Sequence, residues 1–103
     1  MTSKTQNPAL KNMLNDVSST LKAMADPIRL LILVLLSQGE RCVCDIHEPL
    51  NLPQNLVSHH LRVLKDNYLV NSRHEGRNVI YSIEPLRIDD VRNLLASLTA
   101  KAG

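Results

Sequence analysis

The sequence predicts a mainly α-helical chain carrying a β-hairpin wing, and three observations lead there. Apolar residues recur at steps of three and four over most of the length. Two short segments flank a Glu75-Gly76-Arg77 turn. The excess of positive charge is confined to one stretch, residues 53–78. With 103 residues, 44% apolar and 21% charged, the chain has the length of one domain and the composition of a folding one, so residues 1–103 are expected to form a single unit. Its longest apolar run, Leu30 to Leu36, falls far short of the roughly 20 residues that span a bilayer. The opening MTSKTQNPAL has no signal-peptide apolar segment, so a cytoplasmic protein without membrane contact is expected.

Leu10, Leu14, Val17, Leu21 and Met24 form the stripe of a first amphipathic helix, about Leu10 to Met24. Ala25-Asp26-Pro27 reads as a break and restart, with Asp26 as N-cap and Pro27 at the first helical position, where its missing N–H costs nothing. The second helix then runs from Pro27 to about Ser37, before Gly39; its all-round apolar run predicts the buried centre of the fold. A short third helix covers about Val43 to Glu48 and is expected to stop at Pro49. A fourth, Pro53 to Asn67, places Leu56, Val57, Leu61 and Leu64 on one face and Asn55, Ser58, His59, Arg62 and Lys65 on the other. Leu69 to His74 and Asn78 to Ile83 read as a hairpin, the second strand turning Val79, Tyr81 and Ile83 inward. Ile88, Val91, Leu94, Leu95 and Leu98 complete a last amphipathic helix.

This order is that of a winged helix-turn-helix, in which the presented fourth helix enters the DNA major groove and the hairpin reaches the flanking backbone. The charge agrees. Residues 1–52 and 79–103 each sum to zero, whereas Arg62, Lys65, Arg73 and Arg77 face only Asp66 and Glu75, and three of the four histidines, His59, His60 and His74, lie in the same stretch. Charge alone would equally describe a solvated face; charge and architecture together point to double-stranded DNA. The candidate contacts are Gln54, Asn55, Ser58, His59, Arg62 and Lys65 on the helix and Arg73, His74 and Arg77 on the hairpin. His60, on the packed side, reads as structural. Only Tyr68 and Tyr81 are aromatic, which argues against a single-strand-binding sheet. The stripes of the first and last helices exceed what so small a chain covers by itself, so a two-fold homodimer through the N- and C-terminal helices, on a palindromic site, is expected. With no glycine-rich phosphate loop and no triad-like set, neither an enzyme nor a catalytic cofactor is expected.

Several motifs then carry a resemblance over about residues 17–84. Ala25-Asp26-Pro27-Ile28-Arg29-Leu30, Cys42-Val43-Cys44-Asp45-Ile46, Val57-Ser58-His59-His60-Leu61-Arg62-Val63-Leu64, and Gly76-Arg77 followed by Tyr81-Ser82-Ile83 resemble the ArsR/SmtB family of bacterial metal- and metalloid-responsive repressors. The resemblance implies a homodimeric winged-helix repressor that holds operator DNA when free and releases it on binding an ion. One departure is Pro53, where the family usually has a Ser-type N-cap.

The candidate ion ligands are Cys42, Cys44 and His47. Inside a helix, residues two apart face nearly opposite ways, so joint coordination by the two thiols requires the start of the third helix to be open. A helix N-terminus lowers a thiol's pKa, an effect Asp45 would oppose. Soft thiolates suit As(III), Sb(III), Cd(II) or Pb(II) better than hard cations. Arsenic-responsive members of the family carry a third cysteine where this chain has His47, which is therefore either the third ligand or a surface histidine, with water or a small thiol in its place. Cadmium and lead sensors add N-terminal cysteines, but residues 1–41 contain neither Cys nor His; zinc sensors use Asp and His pairs near the last helix, where Asp89 and Asp90 have no histidine after residue 74. Against those patterns the resemblance favours As(III) or Sb(III) as effector. A Cd, Pb or Zn response, a thiol-redox response of Cys42 and Cys44, and a plain architectural module remain the alternatives.

Overall fold

The computed structural model describes residues 7–100; Lys4 and Lys101 of the charge tally, and residues 1–6 of the N-terminal reading, lie outside them. The elements are α1 (Pro8–Met24), α2 (Pro27–Ser37), β1 (Arg41–Cys42), α3 (Cys44–Leu50), α4 (Gln54–Asp66), β2 (Val70–Glu75), β3 (Asn78–Ile83) and α5 (Pro85–Thr99). This is the winged helix-turn-helix order, mostly helical with a small antiparallel wing. No described helix is long and apolar enough to cross a membrane.

The α1–α2 break forms as the sequence requires. Oδ1 of Asp26 accepts from the amides of Ile28 at 2.9 Å and Arg29 at 3.0 Å, two donors that the first helical turn leaves free. Those bonds hold the Asp26 carboxyl below its ordinary pKa, the Arg29 amide contributing most. The core gathers Ile32, Leu33 and Leu36 of α2, Ile46 of α3, Val57, Leu61 and Leu64 of α4, and Leu69 and Val70 at the base of the wing.

Four expectations need correction. Helix α2 is not buried all round: Ile32, Leu33 and Leu36 are inside, whereas Leu30, Leu31 and Val34 are exposed, Val34 at 56%. A single stripe of a helix can face one core, so the surplus apolarity marks a face this chain leaves open. Likewise, α1 buries Val17, Thr20 and Ala23, while Leu14 and Leu21 of its expected stripe face outward. Helix α3 runs through Pro49 to Leu50. It ends at Asn51, which takes the left-handed conformation at φ 54°, while the Asn51 and Leu52 amides bond back to the Glu48 and His47 carbonyls at 3.0 and 3.1 Å. Finally, β3 turns Tyr81 and Ile83 against the core as expected, whereas Val79 is half-buried without joining them; the strand lies between β1 and β2 in the order β1-β3-β2.

Strand β1 has no counterpart in the sequence reading. Its two residues pair antiparallel with β3, Arg41 opposite Tyr81 and Cys42 opposite Ile80, and two residues leave no periodicity to detect. The β2–β3 hairpin pairs Val70 with Ile83 through to Glu75 with Asn78. Gly76 occupies the first of its two turn positions at φ +64°, a conformation that a glycine adopts without steric cost.

Candidate nucleic-acid interface and dithiol site

The α4 stripe fixes which side chains are presented. Val57, Leu61 and Leu64 are buried, and the opposite face leaves Gln54, Asn55, His59, Arg62 and Lys65 exposed with Ser58 half-exposed. Gln54, Asn55, Ser58, His59 and Arg62 together line one open hollow of about 450 Å³. It holds amide, hydroxyl, imidazole and guanidinium groups, the donors and acceptors that read base edges in a major groove. Pro53 precedes the helix without a side-chain cap.

His60 turns the other way. It is buried, and Arg29 donates through Nη1 to its Nδ1 at 3.1 Å. Burial pushes the imidazole pKa down and the Arg29 charge adds to that, against an upward pull from Asp26. The His59 ring lies edge-on to it, centroids 5.3 Å apart.

The wing's basic residues differ in their commitments. Lys65, at the end of α4, donates through Nζ to Oγ of Ser72 on β2 at 2.6 Å, joining the presented helix to the wing. Arg73 is engaged at both ends of its fork: Nη1 and Nη2 reach the Glu40 carboxylate at 2.6 and 2.7 Å, and Nη2 also reaches Glu75 at 3.0 Å. The pairing lowers the Glu40 pKa and raises that of Arg73. His74 and Arg77 are exposed, Arg77 in the turn itself.

The two cysteines do not share a helix. Cys42 belongs to β1 and Cys44 opens α3, with Val43 between them, so the geometry that would have set them on opposite helical faces does not arise. Both thiols are free, and Cys42 lies near enough to Cys44 to perturb it. The Cys44 thiol is raised above its ordinary pKa rather than lowered: partial desolvation is the largest cause, followed by the Cys42 thiol and the Glu48 and Asp45 carboxylates. A seven-residue helix beside two carboxylates does not reverse this. His47 sits on α3, its Nδ1 donating to the Leu52 carbonyl at 3.2 Å. Among the described residues no three His, Cys, Asp or Glu side chains are gathered as a ready metal cluster.

A second hollow, about 170 Å³, is lined by Cys42, Val43, Cys44, Gln54, Arg77, Asn78 and Val79. It brings the dithiol against the first residue of α4 and against the wing turn. Sequence reading named the cysteines, Gln54 and Arg77 but not their adjacency. It also missed Glu40 and Ser72, whose partners Arg73 and Lys65 are 33 and seven residues away.

Residues 26–72 match the model of the bacterial regulatory protein, arsR family. Over 80 residues the chain is 40% identical to an arsenical resistance operon repressor of Staphylococcus xylosus, an alignment that takes in 78% of this chain and 77% of that protein. The chain belongs to the ArsR family. A second relative of this ArsR-family chain, a cadmium resistance transcriptional regulatory protein homologue from Staphylococcus aureus, is 40% identical over 70 residues, 67% of this chain and 58% of that one. Among solved structures, a homodimeric winged helix-turn-helix DNA-binding domain of a possible ArsR-family transcriptional regulator from Mycobacterium bovis superposes with a TM-score of 0.70 at 36% identity, covering 85% of this chain and 79% of that one. As an ArsR/SmtB-family protein the chain is a DNA-binding transcriptional repressor, and fold and relatives alike are those of regulators rather than enzymes.

Proposed function

We propose that residues 1–103 act as one winged helix-turn-helix unit that binds palindromic operator DNA as a homodimer and releases it when Cys42 and Cys44 take up As(III) or Sb(III). The observation that carries this reading is the hollow shared by the two thiols, Gln54 and Arg77, because it sets the ligand chemistry directly against both DNA-reading elements. Gln54, Asn55, Ser58 and His59 supply base-edge contacts; Arg62, Lys65, Arg73, His74 and Arg77 supply phosphate contacts. Exposed Met13, Leu14 and Leu21 on α1 and Leu95 and Leu98 on α5 support the dimer, since patches of this kind on a small chain call for a partner.

The donor set fits a thiophilic effector. Two adjacent thiols offer soft ligands, and each gives up its proton as a hydroxide leaves arsenous acid as water, with no change of oxidation state. The relatives' names, arsenical and cadmium resistance, support an effector of the metal or metalloid class; the choice of As(III) or Sb(III) rests on the family resemblance, since residues 1–41 hold neither Cys nor His and no His follows residue 74. The test is fluorescence anisotropy of a labelled palindromic promoter fragment, titrated with As(III), Sb(III), Cd(II), Zn(II) and peroxide. Release by the trivalent metalloids at the lowest concentrations is expected. Release by Cd(II) or Zn(II) first would move the protein to a metal response, and release by peroxide reversed by a dithiol would make it a redox regulator.

A further inference from the structure

Strand β1, which carries Cys42, is held to the wing by two kinds of contact. One is the backbone ladder to β3, only two residue pairs long. The other bypasses β3 altogether. Cys42 is in register with Ile80, and Ile80 with Arg73, so the three residues form one row across the sheet. From the β1 side of that row, Glu40 reaches over to Arg73 on β2 with both carboxylate oxygens, at 2.6 and 2.7 Å, and Glu75 holds the same guanidinium at 3.0 Å.

We propose that the Glu40–Arg73 ion pair couples the dithiol strand to the wing, making Glu40 and Arg73 positioning residues for effector-driven release of DNA. The proposal rests on the dithiol reading above. Cys42 and Cys44 flank the joint where β1 passes into α3, so ligation by both thiols fixes that joint and displaces β1 relative to its neighbours. A two-pair ladder passes this displacement to β3 alone. The Glu40 carboxylate, two residues before Cys42, passes it to β2, and Ser72 beside Arg73 passes it on to α4 through Lys65 Nζ at 2.6 Å. A continuous physical route therefore joins the thiols to the presented helix. Exposed single ion pairs contribute little to stability, but a bidentate fork shared with a third charge is the geometry in which such a pair is held in place. Both side chains are about half exposed, 50% for Arg73 and 48% for Glu40, so they can be exchanged without opening the core.

The test is the ratio of operator Kd with and without As(III), measured for wild type, Glu40→Gln, Arg73→Gln, the double variant, and the charge swap Glu40→Arg with Arg73→Glu. The ratio cancels changes in basal DNA affinity that follow from altered charge. Wild-type coupling in such switches is about 5–150-fold. Each single variant is expected to cut the ratio at least about fivefold, the double variant no further than either single, and the swap to restore most of it. As(III) binding to the DNA-free dimer, read from thiolate-to-arsenic ultraviolet absorbance, should stay within about twofold of wild type, because no ligand is removed. Single variants with wild-type ratios, or additive losses that the swap does not restore, overturn the proposal. If wild type itself keeps its operator in As(III), the effector reading fails first and is seen to fail in the wild-type arm alone.

Discussion

Arg29 donates through Nη1 to Nδ1 of His60 at 3.1 Å, tying α2 to the concealed face of the presented helix. Because arginine only donates, this bond fixes the His60 tautomer with its proton on Nε2. The same guanidinium anchors itself through Nε to the Ala23 carbonyl at 2.6 Å, just before the α1–α2 break. Three helices are thus joined through one arginine, and the orientation of α4 depends on His60 staying neutral.

Stability is therefore expected to fall as the solution turns acidic around the histidine range. Burial pushes the folded-state pKa of His60 below its ordinary 6.5, with Arg29 and His59 adding to the effect and Asp26 opposing it. Between the folded and unfolded values the unfolded chain binds the extra proton, so stability is full above about 6.5 and is lost as pH falls below it. Urea midpoints at pH 7.5 and 5.5 should show this loss, and His60→Asn should flatten it. An equal pH slope in both proteins would assign the effect to other groups.

The α1–α2 break makes a second prediction. Asp26→Ala removes the acceptor for the Ile28 and Arg29 amides and should cost about 1 kcal/mol, seen as a lower urea midpoint at unchanged slope. Asp26→Asn, which keeps the acceptor, should recover most of it. A wild-type midpoint for Asp26→Ala would mean that the cap is dispensable.

What could be read from sequence, and what could not, follows from the range of the interactions. The places of α1, α2, α4 and α5, the Asp26-Pro27 restart and the Gly76 turn are set by neighbours within a few residues, and these appear as expected. The open face of α2 was misread because apolar content reports a preference for burial and not whether a covering surface exists in the same chain; Leu30, Leu31 and Val34 show the difference. At the site, residue types were legible from motif and charge. Their commitments were not, since the Glu40–Arg73 bond closes over 33 residues and nothing local announces it.

That bond changes what is expected of the basic residues on DNA. Arg62→Ala and Arg77→Ala should each lower the slope of log Kd against log salt by about 0.9 for every phosphate the variant no longer neutralises. Arg73→Ala should lower it less, because Glu40 and Glu75 already compensate its charge. Equal changes for all three would show that Arg73 leaves its carboxylates when DNA arrives. No change for Arg62 and Arg77 would move the interface elsewhere on the molecule.

The last prediction separates DNA binding from the response. If the free dimer already has DNA-binding geometry, removing a ligand spares the complex, because the effector acts only by favouring the other conformation. Cys42→Ser and Cys44→Ser should accordingly bind operator as wild type does and fail to release it in As(III). Serine nearly matches cysteine in size but lacks the soft sulfur, and Cys42 and Cys44 are half-buried and exposed, so repacking does not confuse the outcome. His47 decides the third position. Its Nδ1 proton is committed to the Leu52 carbonyl, which in the neutral ring leaves the Nε2 lone pair for a ligand role. As third ligand, His47→Ala should raise the As(III) concentration needed for release, and His47→Cys should lower it. Identical release by His47→Ala would give that position to solvent or an external thiol. Release by both serine variants would remove the dithiol from the mechanism altogether.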